Sequence, residues 1–389
     1  MIRFISVLLA ALMAAHLAPA PAAPSVYPTG TTIFDSTRAW NGFTVLTLLS
    51  TQAVVVIDMN GNVVKRWEDF NNSAGGPARI LPGGVVVGAR GARPRHQESL
   101  GLVQRSFSGE TLWQLSENVQ ITLPDGEVVH SLRQHHDWQR ADLPGGYYSP
   151  AANIDPAGSN VLVLTHASRM DENVADVLLE DDRIIEVNAA GELLWEWTAG
   201  EHIDEFDFDA AARQSIEAAP GFSEARSSLD WFHINSATYV GPNRWYDAGD
   251  TRFAPDNVII SSRQASIVAI VARDGSVVWQ IGPDFGRTAE LRAIRQIIGQ
   301  HHAHLIPPGL PGAGNMLVFD NGGSSGYGAP SAIAPNGLGI YARSSSRVLE
   351  IDPVSLELVW VYQAPNFFST NISGAQRLPN GNTLITEGA

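Results

Sequence analysis

One unit recurs along this chain, and it leaves few folds open. Half of the unit is a strand-forming run, a tight turn, and apolar residues ending in a tryptophan. It occurs at Ile57-Asp58-Met59-Asn60-Gly61 leading to Trp67, at Gly109-Glu110-Thr111-Leu112-Trp113 and at Gly191-Glu192-Leu193-Leu194-Trp195. Two further copies are Gly275-Ser276-Val277-Val278-Trp279 and Ile351-Asp352-Pro353 leading to Trp360. The other half is a turn followed by an apolar strand. Leu81-Pro82-Gly83-Gly84 precedes Val85-Val86-Val87, Asp256-Asn257 precedes Val258-Ile259-Ile260, and Gly314-Asn315 precedes Met316-Leu317-Val318. Turn residues flanked by β-branched residues read as antiparallel hairpins. The two halves make about four strands per unit, the size of a propeller blade. Such a unit buries its faces only against its neighbours. The spacing predicts an all-β, six-bladed β-propeller with units beginning near residues 31, 78, 135, 232, 301 and 373. The sixth blade is expected to be incomplete, because the chain given stops at Ala389 after two of its strands.

Composition narrows the function classes. With 389 residues, 44% of them hydrophobic, the chain can bury a large core. Its net charge of -15 argues against nucleic acid and anionic membrane surfaces as partners. The absence of cysteine excludes disulfides, thiolate zinc sites and cysteine nucleophiles, and Lys65 is the sole lysine. Residues 1–22 read as a signal peptide: Arg3 begins it, Phe4 to Ala15 is apolar, and Ala18-Pro19-Ala20-Pro21-Ala22 offers cleavage sites. The apolar stretch is shorter than the ~20 residues that span a bilayer. A propeller domain over residues 23–389, periplasmic or secreted and without stable membrane insertion, is therefore expected. Two insertions, 201–229 and 283–299, end just before histidine segments and are placed to cover one mouth of the ring; Asp209 reads as the cap of a short helix in the first.

Three histidine segments occupy matching points of the repeat: His135-His136-Asp137, Asp230-Trp231-Phe232-His233-Ile234-Asn235-Ser236 and Gln300-His301-His302-Ala303-His304. In a ring of repeats such positions meet around one axis. Along an unbroken strand, alternate residues share a face. His136 and His233 each precede their turns (at Leu143 and Val240) by seven residues, and His301 precedes Ile306 by five, so all three fall on one face. His302 and His304 then fall opposite, and with no third ligand indicated no metal site is expected. A neutral imidazole is a nucleophile near pH 7, and a second serves as acid or base. Arg263, at the end of the Val258–Ile260 run, has the planar fork that holds sulfate or phosphate oxygens. Phe232 is a candidate for stacking on an aryl ring.

These segments resemble the bacterial arylsulfotransferases that need no nucleotide sulfate donor. The similarity rests on Gly30 to Asp35, Asp230 to Ser236, Asp256-Asn257 to Ser261-Ser262-Arg263, Gln300-His301, Phe319-Asp320-Asn321-Gly322 and Ser373 to Asn382, and it runs over essentially the whole mature chain. It implies a six-bladed propeller and a ping-pong reaction. A sulfuryl group leaves a small aromatic sulfate donor for a histidine, then passes to a phenolic acceptor, with no cofactor. By this resemblance His301 is the sulfated nucleophile, and His136, His233, Asn235 and Arg263 surround the sulfuryl oxygens. Either His136 or His233 takes the acceptor's proton. Two features depart from the family: there is neither an N-terminal β-sandwich nor a cysteine pair, and His302 stands where an acidic residue is expected. Two other readings remain: a related hydrolase of aryl sulfate or phosphate esters, and a non-catalytic propeller that binds a ligand.

Overall fold

Each repeat unit folds into an antiparallel sheet whose strands are stacked in sequence order. The computed structural model describes residues 30–48, 52–71, 76–94, 96–116, 119–123, 126–156, 158–221 and 229–388. The expected signal peptide, 1–22, lies outside them. The third unit pairs Gln134–Arg140, Val161–Asp171, Ala175–Val187 and Leu193–Thr198. The fourth pairs Ile234–Tyr239, Val258–Ser262, Ile267–Val271 and Val277–Ile281. The fifth pairs His301–Leu305, Met316–Asp320, Arg347–Ile351 and Leu358–Tyr362. The second unit has four strands between Arg79 and Leu115, and the first has three between Thr44 and Glu68.

The strands that open each unit are inside. Every residue of Ile234–Tyr239 is buried, whereas Leu358–Tyr362, closing its sheet, is largely exposed. The middle strands are buried on both faces. Val258–Ser262 and Ile267–Val271 therefore read as continuous β-branched runs rather than alternating ones. One apolar cluster lies between each successive pair of sheets. Leu102 and Leu115 meet Val163 and Ile185, Leu164 and Trp197 meet Ile234 and Ile260, and Ile259 and Ile270 meet Leu305 and Val318. That order of packing is the arrangement of a β-propeller.

The repeat tryptophans join the blades at their rim. Each indole N–H donates to a carbonyl in the outer turn of the following unit: Trp67 to Ser106, Trp113 to Ala189, Trp195 to Arg273 and Trp279 to Pro353, at 2.8–3.0 Å. The glycine that recurs before each tryptophan follows from the turn it occupies; Gly191 and Gly275 have φ of 83° and 94°, which a side chain would oppose.

The structure corrects the blade count. There are five blade sheets, not six, because the sixth unit forms only the hairpin Gly374–Arg377 with Thr383–Thr386. Ala375 and Ile385 of this hairpin pack on the fifth sheet, and Asn380 and Asn382 donate to Arg38 O ahead of the first sheet. The insertions form short helices. Ala210–Ala218 is capped by Asp209, as its sequence predicts, and Ala289–Ile294 by Thr288. Arg287 reaches Asp207 at 2.5 Å and ties one insertion to the other. No helix among the described residues is long and apolar enough to cross a membrane.

Candidate active site

The three innermost strands share a defect that places their histidines. Each carries a bulge: between Gln134 and Trp138, between Ile234 and Ser236, and between His301 and His304. His136 and His302 within their breaks, and His233 just ahead of its own, adopt left-handed φ of 50–52°, a conformation a non-glycine residue holds only when its surroundings enforce it. Counting alternate faces along unbroken strands therefore rests on a premise the structure does not meet. The breaks fall at different registers, opposite Val163 to Thr165, Ser261 to Ser262 and Leu317 to Phe319, yet the three histidines still converge. The His136 and His233 rings lie 4.8 Å apart, edge to face. His301 is near enough to His233 and Arg263 for their charge to act on it. His233, His301 and Arg263 are buried and His136 is partly so.

His301 is held in one tautomer. Its Nδ1 lies 2.7 Å from Asn321 Oδ1 and 3.1 Å from Gly299 O, both acceptors, so Nδ1 carries the hydrogen and Nε2 the lone pair. The Asn321 amide cannot turn over, because its Nδ2 donates to Ser369 O and Ile372 O, each at 2.9 Å. Burial pushes the His301 pKa down to about 3, with Arg263 and His233 adding to the effect against the Asn321 bond. The ring is thus neutral at ordinary pH. Gln300, wholly buried, fixes the strand below it by donating to Ser262 O and Ile267 O of the preceding blade.

His233 has the same tautomer for a different reason. Its Nδ1 is 2.5 Å from Asp230 Oδ2, and its backbone N–H donates to Asp230 Oδ1 at 2.9 Å. Burial alone would raise Asp230, but His233 and His166 outweigh it and hold the carboxyl well below the usual range. Behind this pair lies a network the sequence did not announce. His166 Nδ1 is 3.1 Å from Glu98 Oε1, and its Nε2 is 3.7 Å from Asp230 Oδ2. Glu98 accepts from Arg133 at 2.7 Å and from Arg93 at 2.9 Å. His135 stacks on His166 and approaches His136 Nδ1 to Nδ1 at 2.9 Å.

The other sequence candidates fall as follows. Asn235 is buried and its Nδ2 donates to Gln300 O at 2.6 Å, tying the His233 strand to the backbone beside His301. Phe232 is a correction: its ring is 0% exposed and packs on Phe206 and Trp231 in the core, leaving no face for a substrate. His302 and His304 form a separate group with Tyr147, whose hydroxyl is 2.9 Å from His304 Nε2. Thus His302 does not orient His301; Asn321 does.

His135, His166 and Asp182 bring three ligand-type atoms within 4.8 Å of one another. The two rings are stacked at 3.7 Å with planes only 13° apart, so one ion cannot lie in both ring planes as coordination by imidazole requires. In a second group, His96, Glu98 and Glu180, the Glu98 carboxylate is already taken by arginines. The site therefore offers chemistry by imidazole, carboxylate and guanidinium groups.

The profile of the Arylsulfotransferase (ASST) family matches residues 136–389, well over half of the chain, from His136 through the last hairpin. The chain belongs to the arylsulfotransferase family. His136, His233, Arg263, His301 and Asn321 all lie inside the matched segment, whereas Glu98 of this family member precedes it. No curated protein matches it in sequence. Among solved structures it is similar to a protein of unknown function from Bacteroides caccae (12% identity, TM-score 0.42, covering 88% of this chain and 81% of that one). It is also similar to the Dos1 propeller (12% identity, TM-score 0.37, 88% and 72%) and to virginiamycin B lyase from Staphylococcus aureus (10% identity, TM-score 0.32, 84% and 69%). Likeness at this level says nothing of this family member's activity.

Proposed function

We propose that this arylsulfotransferase-family protein moves a sulfuryl group between phenols in two steps through His301. The observation that carries the reading is the His301 ring, neutral and locked with its Nε2 lone pair free, beside the His233–Asp230 pair and Arg263. In the first step Nε2 bonds to sulfur as the sulfur–oxygen bond to the donor phenol breaks. Arg263 offsets the charge on the sulfuryl oxygens and His136, kept neutral by burial, can donate an N–H to them, while the departing phenolate takes its proton from solvent. In the second step His233 Nε2 takes the acceptor phenol's proton, the phenol oxygen bonds to sulfur, and the N–S bond breaks. His233 then releases that proton to solvent, which balances the one taken up by the first phenolate. His233 suits this role better than His136 because only His233 has a carboxylate on its Nδ1. In-line transfer of this kind depends on positioning and charge stabilisation more than on covalent machinery. The leader-like amino terminus extends the proposal to an exported enzyme.

Nitrophenyl sulfate, with and without added phenol, tests the reading. Phenol-dependent nitrophenol release and a sulfated peptide containing His301, both absent from His301→Ala, are the expected results. Release indifferent to phenol would make the protein a hydrolase, and turnover that survives His301→Ala would remove the nucleophile.

A further inference from the structure

His166, Arg263 and Asn321 are the same residue of three successive blades. Each follows the first residue of its blade's second strand (Val161, Val258 or Met316) by five positions. Those three strands start in the same register, Val161 opposite Val187, Val258 opposite Val271 and Met316 opposite Ile351, each partner ending the third strand. This position therefore delivers one side chain per blade toward the histidine cluster. Asn321 orients His301, and Arg263 supplies charge. The geometry assigns His166 a third role, that of a positioning residue. It is a buried cation clamped between Glu98 and Asp230 that fixes Asp230 as the carboxylate partner of His233. This inference rests on His233 acting as the base, as proposed above.

The charge on His166 follows from what faces it. Nδ1 meets Glu98 at 3.1 Å, and Nε2 meets Asp230 at 3.7 Å and Asp182 at 4.0 Å. All are carboxyl groups, and neither nitrogen faces a donor. The stacked His135 ring is held neutral by its own burial, His166's charge adding to that effect. Nδ1 therefore donates to Glu98, while Nε2, which makes no hydrogen bond at these distances, lies in the field of two carboxyl groups. Burial alone would lower its pKa, but Asp230 and Glu98 outweigh it and push it up to about 10. Asp182 is different: burial, with Asp230's charge, pushes it well up, so it contributes little negative charge. Arg133 and Arg93 are spent on Glu98. A buried carboxylate without a compensating cation takes up a proton instead. Without His166, Asp230 would keep only hydrogen bonds from a neutral His233, would protonate more readily, and would cease to hold the tautomer that makes His233 a base.

Two measurements test this. Nitrogen-15 histidine spectra of the wild-type protein should show one imidazole doubly protonated at pH 8 that disappears in His166→Gln; a neutral His166 at pH 8 overturns the inference whatever the kinetics. In rapid-mixing experiments with nitrophenyl sulfate, His166→Gln should keep a burst of nitrophenol equal to the enzyme concentration. Transfer to phenol should then slow by roughly tenfold to a hundredfold, less than the roughly 10²–10⁴-fold that loss of the whole general base would cost. The acid limb of its pH profile should move up by about one unit or more, with KM for phenol unchanged. A profile and rate coincident with wild type overturn the inference. No burst in the wild-type enzyme would instead overturn the His301 intermediate, leaving the spectral result to judge His166 by itself. If His166→Gln does not fold, Glu98→Gln should shift the same limb upward by a smaller amount, and an unmoved limb there overturns the clamp.

Discussion

Replacing Asp230 with asparagine changes one atom and should disable the second half of the reaction. Asparagine keeps an oxygen for the His233 backbone N–H, at 2.9 Å in the native protein. Its amide then faces His233 Nδ1, where a carboxylate oxygen stood at 2.5 Å. Two donors cannot share that contact, so the ring is driven to carry its hydrogen on Nε2, and its lone pair is consumed by the new amide. His233 then cannot accept the phenol's proton. General-base catalysis contributes roughly 10²–10⁴-fold, or about 2.7–5.4 kcal/mol at 1.36 kcal/mol per decade. Turnover with saturating phenol should fall by that factor. The pre-steady-state burst should persist, because nitrophenolate leaves without needing a proton. Circular dichroism and a denaturation midpoint check that the variant is folded. Turnover within about threefold of wild type in a folded variant refutes the assignment of His233 as base. Equal loss of burst and turnover refutes it too, since Asp230 would then be serving the nucleophile.

Three further outcomes follow from the same geometry. Stability should peak near pH 6.5 in denaturant titrations: as pH falls from 6.5 toward 3 the unfolded chain binds a proton that native His301 refuses, and as pH rises from 6.5 toward 10 native His166 keeps a proton that the unfolded chain has lost. His301→Asn should flatten the acid side, with His135 and His136 retaining part of it, and a His166 variant should flatten the alkaline side. Phe232→Leu should cost roughly 1–3 kcal/mol, as truncation inside a packed aromatic cluster does, with KM for the aryl sulfate unchanged; a raised KM at unchanged stability would return Phe232 to the substrate. Trp279→Phe removes the 2.8 Å bond to Pro353 O and should lower stability by about 0.5–1.5 kcal/mol, read as a shift in urea midpoint, while leaving transfer alone.

What the chain disclosed before folding was its periodicity. The tryptophan turns and apolar runs fix which segments become strands, and so bring His136, His233 and His301 to one place. Alternation along those strands is a weaker guide. It treats a strand as unbroken, whereas a bulge at or beside left-handed His136, His233 and His302 breaks each one. The three side chains still converge, although the breaks fall at different registers. The reading of Phe232 as an aryl contact rests on its aromatic side chain and not on alternation, which puts it opposite His233, and its ring does point into the core. The count of six blades fails for another reason, that the sixth unit contributes a hairpin to the packing and no third strand among the described residues. Asp230 and Asn321 stood inside recognised segments with no role evident, since a tautomer is set by which oxygen faces which nitrogen. His166 lay outside every segment singled out, yet the signal for it was present. Once Arg263 is admitted because of its place at the end of a blade's second strand, the same offset in the preceding blade ends on His166, and in the following blade on Asn321. A repeat that predicts strands also predicts which positions look inward. Here three such positions carry an imidazole, a guanidinium and an amide, which is how one fold unit copied around an axis comes to surround one cluster with unlike chemistry.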